Sequence, residues 1–479
     1  MKIISIILLI NFINLISGFL RFPERKMPSG KFASMTTVSD PQKYDRSNVK
    51  IIETNFDIQY GYFYHLSCSN SPVAPRTDGG YYIMFTDKND YLHILSYNKY
   101  DKLLKDFNIK EKAYPFDITA TENGFVIYVK DYYNLDHSYL SLYDKSYRLV
   151  KKVQIMNNSP DDDKTIDSNL QKQIIRYRDN GDPIFGMRFM YHPESGKLIY
   201  SGGRIFLIFS HYNYFIYSTK PGGHTGDTTV TFDNTLNDMD FGLTWGASHS
   251  LIQSATADEN YFWTAALSDG YPMGIKVVYT SKTKFQNDID KINNKKNLRE
   301  YEQINNLAGK IVGHNNGIAD GKLGGLLYFE KYKIYCLVYA KTPNQSEDNY
   351  NGKNIIYITT WKFENNKITN NKTMIVKAFS SEILIQQVRA GKLGDNLVFI
   401  TYSSTSSQVA QFRLEAGTIP NLFLIEVTKL KRLKSDVKYN KLLMNKNEDL
   451  RTFENGDLIW ATANKDEKLT IFKIIANKN

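Results

Sequence analysis

Thr119-Ala-Thr-Glu122-Asn123-Gly124 runs directly into Phe125-Val-Ile-Tyr-Val129. A polar lead ends in residues that accept positive φ, and an apolar run follows at once. Apolar runs of this length, bounded by such turns, read as strands buried on both faces. The pattern recurs along the chain. Arg76-Thr-Asp78-Gly79-Gly80 precedes Tyr81-Tyr-Ile-Met-Phe85, and Ser201-Gly202-Gly203 precedes Ile205-Phe-Leu-Ile-Phe209. Ala257-Asp258-Glu259-Asn260 precedes Tyr261-Phe-Trp263, and Gly321-Lys-Leu-Gly324-Gly325 precedes Leu326-Leu-Tyr-Phe329. Gly391-Lys-Leu-Gly394-Asp395-Asn396 precedes Leu397-Val-Phe-Ile400, and Phe453-Glu454-Asn455-Gly456 precedes Leu458-Ile-Trp460.

Further strand-like runs follow many of these pairs, as in Tyr91-Leu-His-Ile-Leu-Ser and Tyr139-Leu-Ser-Leu-Tyr. Each unit is too small to bury its own faces. Self-similar β units repeated in this way pack radially. The expectation is an all-β chain, a β-propeller of seven blades, with six or eight as the neighbouring counts. Residues 49–479 form one domain in this reading. Strands within residues 49–64 complete the last blade and close the ring, which leaves no sheet edge exposed. Short helical insertions are expected at residues 161–180, where Ile166, Leu170 and Ile174 are spaced helically, and at residues 285–307. The Asp161-Asp-Asp163 run lacks the ligand spacing of a calcium loop.

The N-terminus carries an address. Lys2 precedes an apolar run from Ile3 to Ile16, then small Ser17-Gly18. This is the layout of a secretory signal peptide over residues 1–18, cleaved after Gly18. The alternative is an uncleaved signal anchor, since the uncharged run continues to Leu20. Residues 19–48 read as a flexible leader. Secretion makes Asn157, Asn344 and Asn371 candidate glycosylation acceptors, each in a polar, loop-like stretch. It also allows a disulfide between Cys68 and Cys336, although Cys336 sits in a strand-like run that favours a buried thiol.

The net charge of +10 is thinly spread, and the concentrated basic stripe of a nucleic-acid protein is missing. The 14% aromatic content suits strands first and carbohydrate contact second. Chemistry concentrates between residues 222 and 274. Gly222-Gly223-His224-Thr225-Gly226-Asp227 reads as a turn, and Trp245-Gly246-Ala247-Ser248-His249-Ser250 and Asp269-Gly270-Tyr271-Pro272 read as connections. His224, His249, His314 and Asp227 are candidate ligands for a divalent metal. His224 or His249, held by Asp227, is a candidate general base. Trp245, Tyr271 and His314 are candidate ligand-binding residues. The competing reading makes 222–227 a self-capped turn and His249 a buried, satisfied histidine. No G-x-S-x-G nucleophile elbow and no phosphate-cradling glycine loop occurs.

The motifs His224-Thr225-Gly226-Asp227, Trp245-Gly246-Ala247-Ser248-His249 and Asp269-Gly270-Tyr271-Pro272-Met273-Gly274 resemble stretches of secreted propeller proteins of no assigned activity. WD40 and kelch signatures are absent. The resemblance implies a fold and a compartment, and assigns no catalytic role. The function expected is that of an extracellular binding module, with a glycan or a protein as ligand. The alternative is a secreted metal-assisted lyase, hydrolase or transferase acting on polysaccharide. A third reading is a structural subunit of an extracellular assembly.

Overall fold

The computed structural model describes residues 49–58, 71–133, 138–155, 184–188, 195–217, 221–236, 239–243, 253–268, 274–282, 322–341, 355–365, 367–378, 383–406, 421–438, 443–444, 448–464 and 466–476. The expected signal peptide, leader and helical insertions lie outside these residues. The described chain is all-β apart from a 3-10 turn at Glu330–Tyr332.

The strands in chain order are β1 (Val49–Asp57), β2 (Val73–Pro75), β3 (Tyr81–Thr86), β4 (Tyr91–Tyr97), β5 (Leu103–Thr121), β6 (Gly124–Asp131), β7 (Ser138–Asp144) and β8 (Leu149–Ile155). Next come β9 (Ile184–Arg188), β10 (Ser195–Ser201), β11 (Arg204–Tyr217), β12 (Pro221–Asp233), β13 (Met239–Leu243), β14 (Gln253–Ala257), β15 (Tyr261–Ser268) and β16 (Gly274–Ser281). The C-terminal part holds β17 (Lys322–Phe329), β18 (Ile334–Lys341), β19 (Ile355–Glu364), β20 (Lys367–Ala378), β21 (Ile383–Leu393), β22 (Leu397–Ser406), β23 (Asn421–Glu426) and β24 (Lys431–Lys438). It ends in β25 (Arg451–Thr452), β26 (Leu458–Ala463) and β27 (Lys468–Ile474).

All pairings are antiparallel meanders of consecutive strands, with two additions. β9 pairs with the far part of β11, and β1 joins β27 at the end of the C-terminal sheet, with Val49 opposite Ile474. The sheets are β2 to β8, β10 to β13, β14 to β16, β17 to β20, β21 to β24, and β25 to β27. β5 serves twice. It pairs with β4 as far as Lys112 and with β6 from Ala113 onward. The first strands are neighbours in a sequence that returns to its start: β2, β5, β10, β14, β17, β21, β25 and again β2.

Hydrophobic clusters fill the spaces between consecutive sheets. Phe125, Ile127 and Val129 pack on Tyr82, Met84 and Ile94. Cys336, Val338 and Ile358 pack on Val388, Val398 and Ile400. Ile83 and Phe85 pack on Ile459 and Ile471. These residues are wholly or almost wholly buried, because a strand between two sheets has no solvent face. Each large apolar side chain buried this way contributes about 1.5–3 kcal/mol. Backbone approach is equally close. A Cβ on Gly196 would stand 2.2 Å from the Tyr128 ring, which lies on the preceding sheet.

The turns between first and second strands fall where the sequence pattern puts them at Gly79-Gly80, Glu122-Asn123, Gly202-Gly203, Asp258–Asn260, Gly394–Asn396 and Glu454–Gly456. One expectation is corrected. Gly324 and Gly325 are not a turn but lie inside β17, and Leu326–Phe329 continues that first strand. The turn comes later, at Glu330–Lys333, where Lys333 takes φ 51°. The two glycines serve packing. A Cβ at Gly324 would sit 2.8 Å from the Val388 side chain, and one at Gly325 would sit 3.0 Å from the Ala390 carbonyl.

Candidate functional site

Antiparallel order sends alternate connections to opposite ends of each sheet. First-to-second turns of successive sheets meet one another. Gly394 N–H donates to the Gly456 carbonyl at 2.8 Å. Lys331 pairs with Asp395 at 2.9 Å, and Lys392 with Glu330 at 2.6 Å. Lys282 donates to Ser201 at 2.7 Å and to the Asp258 carbonyl, and the Tyr335 hydroxyl donates to the Asp258 carboxylate. These short turns therefore share one face. The connections leading into first strands, and those from second to third strands, belong to the opposite face. By chain order the long segments 283–321, 342–354 and 407–420, all outside the described residues, are connections of these two kinds.

Between the first strands β10, β14, β17, β21 and β25 lies a cavity of about 380 Å³. Its wall includes Lys197, Arg389, Lys392 and Arg451, against the carboxylates of Glu330 and Asp449. Toward the face of long connections the charges form one network. Asp117, wholly buried in β5, accepts from the Ile118 N–H at 2.9 Å and the Leu198 N–H at 2.7 Å. Arg451 Nη2 donates to both of its oxygens, at 2.8 and 2.7 Å, and lies 3.4 Å from Asp449. Lys197 pairs with Asp449 as well. Arg389 is buried, and donates to the carbonyls of Glu448 at 3.1 Å, Leu323 at 3.2 Å and Val388 at 3.0 Å. The Glu448 carboxylate accepts from Thr462 at 3.3 Å and Ser71 at 3.5 Å.

Burial opposes ionisation of Asp449, but Lys197 and Arg451 outweigh it and hold the carboxyl below its ordinary value. Burial likewise disfavours charge on Arg451, and Asp117 with Asp449 overcomes it and raises the guanidinium. Burial dominates at Arg389 and lowers it. Buried charges without partners are costly, so this network has been built to keep its charges. It leaves fixed donors and acceptors facing a cavity of ligand size.

The sequence-derived candidates are distributed otherwise. His224 and Asp227 lie in the third strand of their sheet. His224 is opposite Tyr214, and Asp227 falls at a register shift between Gly226 opposite Tyr212 and Thr228 opposite Phe209. Residues 222–227 are thus strand and not a turn, a correction with a plain cause. Thr225, Thr228 and Thr229 favour extended backbone, and the β11 partner Tyr212-Asn-Tyr-Phe-Ile-Tyr217 supplies the ladder. His249, His314, Trp245, Tyr271, Asn157, Asn344 and Cys68 lie outside the described residues, as does Asp161-Asp-Asp163. Among the described residues no group of three or more His, Cys, Asp or Glu side chains is placed to hold a metal. Asn371 is exposed, in strand β20 and not in a loop. Cys336 is a free thiol, wholly buried in β18, and burial pushes its pKa up.

The charged network was missed from sequence. Asp117 and Arg451 are 334 residues apart. The available signal was a lone charge within an apolar first strand, as in Pro115-Phe-Asp117-Ile and Val388-Arg389-Ala390.

No protein-family model and no curated protein sequence matches the chain. Solved structures of similar course include a chain of the mitotic checkpoint complex, at 9% identity and TM-score 0.43, covering 94% of this chain and 100% of that one. A BBS1N chain in complex with ARL6DN shows 8% identity and TM-score 0.41, with 86% and 94% covered. A thermostable family-43 glycoside hydrolase shows 11% identity and TM-score 0.31, with 58% and 88% covered. Among the described residues no helix is long and apolar enough to cross a membrane.

Proposed function

We propose that the chain is a secreted β-propeller of seven blades that acts as an extracellular binding module, with an acidic glycan as ligand of its central cavity. The cyclic order of the first strands, β2 through β25 and back, supports the blade count. The union of β1 with β27 supports closure of the ring. The observation that carries the functional reading is the cavity wall itself. Four cationic side chains, Lys197, Arg389, Lys392 and Arg451, face it with two carboxylates, Glu330 and Asp449. Their geometry is fixed before any ligand arrives, which reduces the ordering cost of binding.

The test is a glycan array carrying neutral, uronate-bearing and sulfated glycans, read at low and high salt. The expected result is retention of acidic glycans that weakens with salt and is reduced by Lys392→Ala. No retention of any glycan overturns the glycan reading in favour of a protein ligand. Secretion is tested by N-terminal sequencing after expression in a secretory host, with a new terminus after Gly18 expected. Glycosidase treatment that lowers the mass of the wild type, and less so of Asn371→Gln, supports glycan attachment on β20.

A further inference from the structure

A second cluster sits at the junction of β4, β5 and the link after β6. Asp87 folds the β3–β4 turn by accepting from the N–H groups of Asn89 at 2.8 Å and Tyr91 at 2.9 Å. That turn presents Asp90 and Tyr91. Lys112 of β5 pairs with Asp90 at 3.6 Å, and its ammonium stands over two rings, 5.4 Å from the Tyr91 centroid and 5.2 Å from that of Tyr132. Tyr132 leans on Tyr114 at 5.4 Å and meets Tyr133 edge-on at 5.2 Å. Tyr133 is 81% exposed and Tyr91 38% exposed. Tyr91 and Tyr132 are held together by the one Lys112 cation, and Tyr133 is set against Tyr132 by its edge contact, so three rings are fixed side by side.

The chemistry of the occupant follows from three features. The local carboxylates, Asp90 paired with Lys112 and Asp131 accepting from the Tyr133 N–H at 2.7 Å, outweigh the one cation, so an anionic ligand gains nothing here. A nucleotide would need cations in excess for its phosphate, and Lys112 is matched by Asp90, whereas cations outnumber carboxylates at the cavity wall. A protein partner would need about 800 Å² on this side, whereas two tyrosines supply at most about 150–250 Å² each. What fits is a small ring with an apolar face and a polar edge. The neighbouring Asp90 carboxylate raises Tyr132, and burial pushes Tyr114 up to about 12.

We infer that Tyr91, Tyr132 and Tyr133, braced by Lys112 and Asp90, form a stacking platform for a pyranose ring of a neutral glycan. This rests on the glycan reading above and adds a second, uncharged subsite to it. The β3–β4 turn and the link after β6 are second-to-third connections. The platform therefore belongs to the face of long connections, and β5 runs from Lys112 at the platform to Asp117 at the charged network. Five residues of extended strand cover about 17 Å.

The experiment titrates the full chain calorimetrically with neutral tetrasaccharides of β-1,4-linked glucose, β-1,4-linked N-acetylglucosamine and α-linked mannose. At least one is expected to bind, with an affinity indifferent to salt. Tyr133→Ala should weaken it about tenfold, the loss of one good aromatic contact, and Tyr133→Phe should restore it. Tyr100→Ala is the control, since Tyr100 is 74% exposed but lies in the β4–β5 turn at the other end of its sheet. Tyr133 carries no core packing, so its variants fold. Absence of binding to all three tetrasaccharides, or an equal loss with Tyr100→Ala, overturns the platform. Salt-sensitive retention of acidic glycans lost in Lys392→Ala but intact in Tyr133→Ala would leave the cavity reading standing while the platform fails.

Discussion

Asp117→Ala tests whether the buried network holds the sheets together. In the wild type, Asp117 is wholly buried and receives two backbone N–H groups and the Arg451 guanidinium, all between 2.7 and 2.9 Å. Its removal leaves Arg451, at the cavity wall, with only the longer contact to Asp449, and strips the buried Leu198 N–H of its acceptor. Breaking one side of a buried pair costs about 3–5 kcal/mol. That is a large share of a total stability of about 5–15 kcal/mol. With an m-value of about 3 kcal/mol per molar or more for a chain of this size, the urea midpoint should fall by on the order of 1 M. The assay is equilibrium urea unfolding, followed by fluorescence of the buried tryptophans Trp263, Trp361 and Trp460. The double variant Asp117→Leu with Arg451→Met removes both charges. It should recover most of the loss, keeping the roughly 1–3 kcal/mol of the stranded Leu198 donor. Asp395→Ala, which breaks an exposed pair with Lys331, should leave the midpoint unmoved. An Asp117→Ala midpoint equal to the wild type, or a double variant no better than the single, would refute the reasoning.

Other expectations follow from single sites. Asp449 has a folded pKa held below the ordinary 3.8. Its contribution is present above about that pH and lost as pH falls through the folded value, so Lys197→Met should flatten the acid limb of a stability profile. Cys336 should resist a thiol reagent in the native protein and react fully in urea, and rapid native labelling would contradict its burial. Gly124→Ala should abolish soluble expression or lower the melting temperature sharply. At Gly124 φ is +155°, and a Cβ there would stand 1.9 Å from the Tyr143 carbonyl.

The turn-and-strand repeat was legible because each unit needs a sharp reversal before a doubly buried strand. Glycine marks that reversal with positive φ at Gly79, Gly124, Gly202, Gly203, Gly394 and Gly456, and at Asp258–Asn260 the Asp258 carboxylate folds the turn by accepting from the Asn260 and Tyr261 N–H groups. The exception shows the limit of the rule. At Glu330–Lys333 the reversal is made by a 3-10 turn with Lys333 in the left-handed region, and no glycine marks it. The glycines upstream, at Gly324 and Gly325, answer instead to the close approach of β21, which is a tertiary demand. The junction within β5 was equally hidden, since nothing local separates the half that pairs with β4 from the half that pairs with β6. His224 and Asp227 looked like turn chemistry because glycines surround them, yet strand pairing over Tyr212–Tyr217 overrides that local preference. The charged network could not be read from spacing, as its members come from different sheets.

The pairing of β1 with β27 also sets a clock on biosynthesis. Thr54 finds its acceptor at the Leu469 carbonyl, 415 residues later. At about 5–20 residues per second, the first strand waits roughly 20–80 s for its partner to be made. Over that interval β1 has no strand to pair with and both its faces, Val49 with Ile51 and Ile52 with Phe56, stay uncovered, and an unpaired strand of this kind is what chaperones bind and what aggregates. The C-terminal strand thus decides the fate of the N-terminal one, and truncation before Lys468 should trap nascent chains with an open sheet.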